Sequence, residues 1–175
     1  MDFTEDKEEL EQRLHEDIEK LDSKQTTQRH RARWDLVLAS PQSIPLLQQV
    51  LRLNTSILAR KEAVKALGDI SDSQAVPVLV SALEDTSYDV RWDAAVGLIE
   101  HCEDSLIPLL EALKHNFGSP ILREGSHHVL RILKEKIANR HIKAVYEALE
   151  SIAPDARLPW AVNRALEALK KQKMN

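Results

Sequence analysis

Leu83-Glu-Asp-Thr-Ser-Tyr-Asp-Val-Arg-Trp-Asp-Ala-Ala-Val-Gly-Leu98 sets a polar turn before a run of small and apolar residues at helical spacing. Its second half, Val90 to Leu98, aligns with Leu58-Ala-Arg-Lys-Glu-Ala-Val-Lys-Ala-Leu67 before it and with Leu122-Arg-Glu-Gly-Ser-His-His-Val-Leu130 after it. The arginines of these segments, Arg60, Arg91 and Arg123, stand 31 and 32 residues apart. A second motif runs in phase: Ile44-Pro-Leu-Leu47, Val76-Pro-Val-Leu79 and Ile107-Pro-Leu-Leu110, with Pro45, Pro77 and Pro108 separated by 32 and 31 residues. Two independent motifs that keep one period mark an array of repeats.

Each unit reads as two helices. The first carries residues such as Ala63, Val64, Ala66 and Leu67, or Ala94, Ala95, Leu98 and Ile99, on one face. Alanine there lets neighbouring helices approach closely. The proline of the second motif falls in the first turn of the second helix, where its missing N–H removes no hydrogen bond. The stripe continues through Val78, Leu79, Ala82 and Leu83. Short polar turns such as Gly68 to Gln74 join the helices, and Asp72 or Ser73 is placed to cap the helix that follows. A helix pair of this size cannot bury its apolar face alone, so units must stack. The expected fold is an all-α solenoid of four to five helix pairs.

The stretch Leu83 to Leu98 closely resembles the HEAT-repeat consensus, and more narrowly the HEAT-like repeats of phycobilisome lyase subunits. The resemblance covers roughly residues 30–170. It implies that Asp89 and Arg91, with Arg60 and Arg123 at the matching places, link adjacent repeats through hydrogen bonds. It also implies a concave face built from the second helices, and it says little about function, since such repeats occur in many unrelated proteins.

The ends depart from the pattern. Counted from Arg33-Trp-Asp-Leu, the early unit reaches Pro45 after 12 residues where later units take 17, which predicts a shorter turn. The fourth unit has no proline, and Ile142 to Leu149 takes the place of its second helix. Pro159 to Leu169 resembles a first helix without a partner and closes the stack. Ahead of the array, Phe3, Leu10, Leu14, Ile18 and Leu21 form one apolar stripe on a charged helix. This predicts an acidic N-terminal cap over residues 1–24 and a repeat domain over 25–175, because terminal repeats need a polar outer face. The stripe suits packing on the first repeat or on a second copy, as a homodimer.

Composition agrees with helix and excludes several classes. The 175 residues contain 4 glycines and 4% aromatics, and strands favour aromatics while their turns favour glycine. Apolar runs fall short of the roughly 20 residues of a membrane span. The start, Met1 to Leu10, is acidic and polar, unlike a secretory signal, so a cytoplasmic location is expected. A single cysteine, Cys102, excludes an intramolecular disulfide. Residues 1–22 hold ten acids against three bases, so the net charge of −4 belongs to the N-terminal helix and the body is close to neutral.

Candidate chemistry is sparse. His127 and His128 are adjacent and point about 100° apart on a helix, so they do not share a metal; one is expected at a repeat interface and the other nearer solvent. HEAT-like di-iron hydroxylases carry His-Glu pairs where this chain has Lys61-Glu62, Trp92-Asp93 and Arg123-Glu124, so their metal site is not expected. Trp34, Trp92 and Trp160 are read as fillers between adjacent first helices. The basic cluster Lys24, Arg29, Arg31 and Arg33 is read as a partner for the acidic helix or as solvated. Second-helix segments hold Arg52, Lys114 and Lys143 against Glu84, Asp85, Glu111, Glu147 and Glu150, which disfavours a phosphate groove and nucleic acid. No catalytic, cofactor-binding or metal-ligating residue is assigned.

The expectation is therefore a non-catalytic scaffold or adaptor whose protein partner contacts Gln48, Gln49, Arg52, Ser81, Glu84, Glu111, Lys114, Lys143 and Glu147 on the second helices. The alternative implied by the resemblance is a bilin lyase-like or chromophore-protein assembly factor.

Overall fold

The structure is a computed structural model that describes residues 3–174. Among them are ten α-helices and no strand. They are α1 (Phe3–Lys20), α2 (Thr26–Leu38), α3 (Ile44–Leu53), α4 (Ile57–Asp69), α5 (Ala75–Ala82), α6 (Tyr88–Glu100), α7 (Leu106–His115), α8 (Pro120–Ile137), α9 (Arg140–Leu149) and α10 (Pro154–Lys173), with a 3-10 turn at Cys102–Ser105. The first helices α2, α4, α6 and α8 pack side by side in one layer, and α3, α5 and α7 form the second.

Pro45, Pro77 and Pro108 all fall within the first three residues of their helices, as their phase predicts. Before α3 and α7, Ser43 and Ser105 are fully buried, and each hydroxyl donates to a carbonyl seven residues back, on Leu36 at 2.6 Å and on Leu98 at 2.5 Å. These bonds fasten the end of a first helix to the start of its second and leave no buried hydroxyl unsatisfied there. In the middle unit the cap expected from Asp72 or Ser73 is replaced by a turn, in which Asp72 accepts from the Gln74 N–H at 2.8 Å.

The small residues set how close the first helices come. A Cβ on Gly68 would lie 3.1 Å from the Gly97 Cα, and one on Gly97 would be 3.2 Å from both Leu79 methyls. The α4–α6 crossing is thus backbone against backbone. Along it run the fully buried Ala63, Val64, Ala66, Leu67, Ala94 and Leu98.

The early unit is of ordinary length. Its turn, residues 39–43, has as many residues as 70–74 in the next unit. The shorter turn expected from Arg33 came from the wrong starting residue, because Arg29 occupies the place of Arg60. The N-terminal helix α1 packs on α2 and α3 of its own chain, burying Leu14 and Leu21 and partly covering Leu10 and Ile18. Phe3 of the expected stripe lies outside the described side chains.

The C-terminal end differs from a simple continuation. The helix beside α7 in the second layer is α10, not α9; α9 packs on α8 and on the far side of α10. Leu158, Val162, Ala165 and Leu166 of α10 are buried, and Lys170 reaches back to Glu111 of α7 at 2.6 Å. Sequence reasoning expected a first helix here, because Pro159 to Leu169 has the same apolar spacing as one. Spacing alone does not say which layer a helix joins.

Candidate partner-binding surfaces

The arginine register holds the units together and limits what is free to bind. Arg29, Arg60 and Arg91, each 31 residues after the last, donate to carbonyls of the turn before their own helix: Ser23 at 2.7 Å, Asn54 at 3.0 Å and Asp85 at 2.9 Å. Arg60 also forks onto the Asp85 carboxylate of the next turn at 2.8 and 2.9 Å. Burial pushes the Asp85 carboxyl up, but the Arg60 contacts and the Ser87 N–H outweigh it and hold the group below the usual carboxylate value. Arg123 reaches Asp155 at 2.5 Å, and Asp89 accepts from Lys61 of the preceding unit at 2.9 Å.

The basic cluster before the first repeat turns inward. Arg29 and Arg33 meet Glu62 at 3.2 and 3.0 Å, and Glu62 is only 3% exposed. These arginines therefore serve the α2–α4 contact, not the acidic helix α1 or a phosphate. Arg31 pairs with Asp35 along its own helix at 3.7 Å, and Lys24 is exposed.

The expected second-helix contacts do not form one surface. Gln48 and Arg52 of α3 and Ser81 and Glu84, on and just after α5, line a single narrow cleft of about 180 Å³, together with Leu51 and Val78. Round Arg52 it opens into a hollow of about 600 Å³ between the turns before α4 and α6. Gln49 faces a separate cleft against His15 and Glu19 of α1. Glu84 is already held by the Ser119 hydroxyl at 2.6 Å and the Asn116 amide at 3.1 Å. Glu111 is tied to α10 through Lys170, while Lys114 is exposed at the end of α7. Lys143 and Glu147 pair at 3.9 Å on α9, which α10 separates from the rest.

The tryptophans are outside the core. Trp34, Trp92 and Trp160 are 52%, 44% and 62% exposed, so they do not fill gaps between helices. Against the arginine register Trp34 stands five residues after Arg29 and Trp92 one after Arg91, so the two were never in phase. Tyr88, Trp92 and Val96 form an exposed stripe on α6. The His128 ring packs at 4.5 Å from Trp92, and His127 stacks at 4.9 Å on Tyr146 of α9. As expected of the pair, His128 sits at the contact with the preceding unit, while His127 is the more open of the two, with 38% of its side chain exposed beside Glu150.

Beside that stripe, a cleft of about 260 Å³ lies over the Gly68–Gly97 crossing, lined by Arg33, Lys65, Asp69, Asp93, Val96 and Glu100. Arg33 Nε and Asp93 Oδ2 are buried here without a hydrogen-bond partner. Burial pushes the Asp93 carboxyl above its ordinary value, because Lys65, at 3.9 Å, is too far to hydrogen-bond. Among the described residues, no group of three or more His, Cys, Asp or Glu is placed to hold a metal. No described helix is long and apolar enough to cross a membrane.

The family model for HEAT repeats matches residues 18–99 and 44–131, more than half of the chain. The chain belongs to the HEAT-repeat family. No curated protein and no solved structure gave a match. HEAT repeats generally serve as scaffolds for protein interaction, and the stacking of α2 to α8 places this chain among them in architecture. In HEAT terms, the unit formed by α8 is the irregular one, since the helix next to α7 comes from further along the chain.

Proposed function

We propose that this HEAT-repeat protein is a non-catalytic adaptor that takes a protein partner on its second-helix face, across the α3–α5 cleft. The observation that carries the reading is the cleft itself. Gln48, Arg52 and Ser81 stand along its rim over Leu51, Val78 and Ala82, and the cleft runs on into the larger hollow beside Ile57. An apolar floor with a few convergent polar groups suits a partner segment that buries one face. Of the nine expected contacts, Gln48, Arg52 and Ser81 fit this role best, because Glu84 and Glu111 are occupied by bonds within the chain.

The likeness to phycobilisome lyase repeats rests on the stretch Leu83 to Leu98, which holds Asp89 and Arg91. Both engage residues of the chain itself, Lys61 and the turn before α6, so the likeness supports the repeat type and adds no bilin chemistry.

The test is capture from native lysate with wild type and with an Arg52→Glu/Ser81→Arg variant, both shown to melt at the same temperature. A stoichiometric partner retained by wild type and lost by the variant is expected. Equal retention of every partner by both proteins removes the cleft from the proposal.

A further inference from the structure

Charge is segregated along the stack. Residues 1–22 hold ten acids against three bases, and residues 131–173 hold ten bases against five acids. The helix α1 closes the stack against α2 and α3, while α9 and α10 close it against α8 and α7. The acidic and basic ends therefore stand apart within one copy and do not neutralise each other. We propose that the chain binds a second copy of itself head to tail, with Trp160 of one copy entering the α1–α3 cleft of the next. Gln48, Arg52 and Ser81 line neither face, so the contact is independent of the adaptor cleft.

The receiving face is a cleft of about 340 Å³ at the acidic end, walled by Ile18, Leu46, Val50 and the exposed Leu53. Its volume is in the range of pockets that take an apolar group. Glu19 lines it too and meets no cation among the described residues, the neighbouring Lys20 being paired with Glu16 and Asp17.

The inserting face is built round Trp160, the most exposed of the three tryptophans. Arg157 and Arg164 stand three residues before it and four after, on the same side of α10. The Arg164 guanidinium lies 4.9 Å from the Trp160 ring centre. Among the described residues α10 makes three ion pairs, through Asp155, Lys170 and Lys173, and neither arginine takes part in them. Beside Trp160, a cleft of about 390 Å³ runs between α9 and α10 over Ala144, Ala148 and Ala161, where small side chains let another helix come close. An indole between two cations thus matches an apolar cleft that carries an unpaired carboxylate, in shape and in charge. Both halves of the match occur on every molecule, which favours a second copy over an unrelated acidic partner. A contact between two different faces leaves one of each free, so it builds chains and does not stop at a dimer.

The experiment is sedimentation of the full chain over rising concentration at about 0.01 M and about 1 M salt, which takes exposed charges from coupled to screened. At low salt the weight-average mass is expected to climb past twice the monomer, with affinity at least about tenfold lower at high salt. Glu19→Arg blocks the head and Trp160→Ala blocks the tail, and each variant alone is expected to remain monomeric. Mixed in equal amounts they keep one good tail and one good head, and are expected to form a dimer that grows no further. Both positions are exposed; should Trp160→Ala melt below wild type, Arg164→Glu replaces it. Wild type that stays monomeric at millimolar concentration, or that stops at a symmetric dimer, overturns the proposal. So does either variant assembling as wild type does, or a mixture that stays monomeric.

Discussion

Glu62 sits between the guanidinium groups of Arg29 and Arg33 and has almost no contact with water. Removing its charge leaves two arginines facing a neutral group in a partly dry site. Glu62→Gln should therefore destabilise the fold by about 3 kcal/mol, read from urea unfolding. Two aspartates should respond to pH in opposite directions. The folded-state value of Asp85 is lowered, so it contributes stability above the ordinary carboxylate range of about 4 and loses it as pH falls below that. The value of Asp93 is raised, so its contribution is fully present below about 4 and is lost as pH rises through the folded value. Urea midpoints at pH 7 should thus fall for Asp85→Asn and hold or rise for Asp93→Asn, with both differences shrinking towards pH 3.5. At this scale the sequence was readable where a residue kept the period. Arg60 and Arg91 do so openly, whereas Arg29 is masked by the more conspicuous Arg33-Trp-Asp four residues on. The exposure of the tryptophans was not readable, since an apolar residue on a helix carries no mark of whether a neighbour covers it.

Helix by helix, the caps and contacts are local enough to test singly. The Ser119 hydroxyl accepts from the Leu122 N–H at 3.2 Å and donates to Glu84, so it starts α8 and ties it to the end of α5. Ser119→Ala should cost about 1 kcal/mol by thermal or urea unfolding. At the α4–α6 crossing, a methyl on Gly97 has to displace the Gly68 backbone or the Leu79 methyls. Overpacking costs about 1–3 kcal/mol, while alanine regains about 1 kcal/mol of helix propensity. Gly97→Ala should therefore destabilise by about 1 kcal/mol net, whereas Gly118→Ala, with nothing within 4 Å, should be close to neutral. Proline phase and apolar spacing located the helices well, because both are set within a single turn of chain. They did not separate α9 from α10. Which of the two lies against α7 depends on packing between residues far apart in sequence.

Across the whole molecule, stacking spreads the core along the chain, and α10 is the piece that seals the second layer. A chain ending at residue 153 would expose the faces of α7 and α9 that Leu158, Val162 and Leu166 now cover. It should lose cooperative melting in circular dichroism and elute as aggregate in size-exclusion chromatography, while Asp155→Ala in the full chain should do neither. The candidate site was only partly legible for the same reason. Gln48, Arg52 and Ser81 come from neighbouring second helices and met as their period required. Lys143 and Glu147 were placed by continuing that period past α7, where it stops.

The seat of α10 also bears on how such a chain can lengthen over evolutionary time. Arrays of this kind grow by duplicating a unit, and a new unit needs a neighbour with a free matching edge. Here the second-layer edge after α7 is already taken by α10, three helices further along the chain where the regular step would bring α9. A duplication tolerated by this architecture would have to insert in the interior, around α4 to α7, where both layers keep the 31-residue step. Copies added after α10 would meet the outer side of α9 and α10, a surface shaped by different residues from those that repeat.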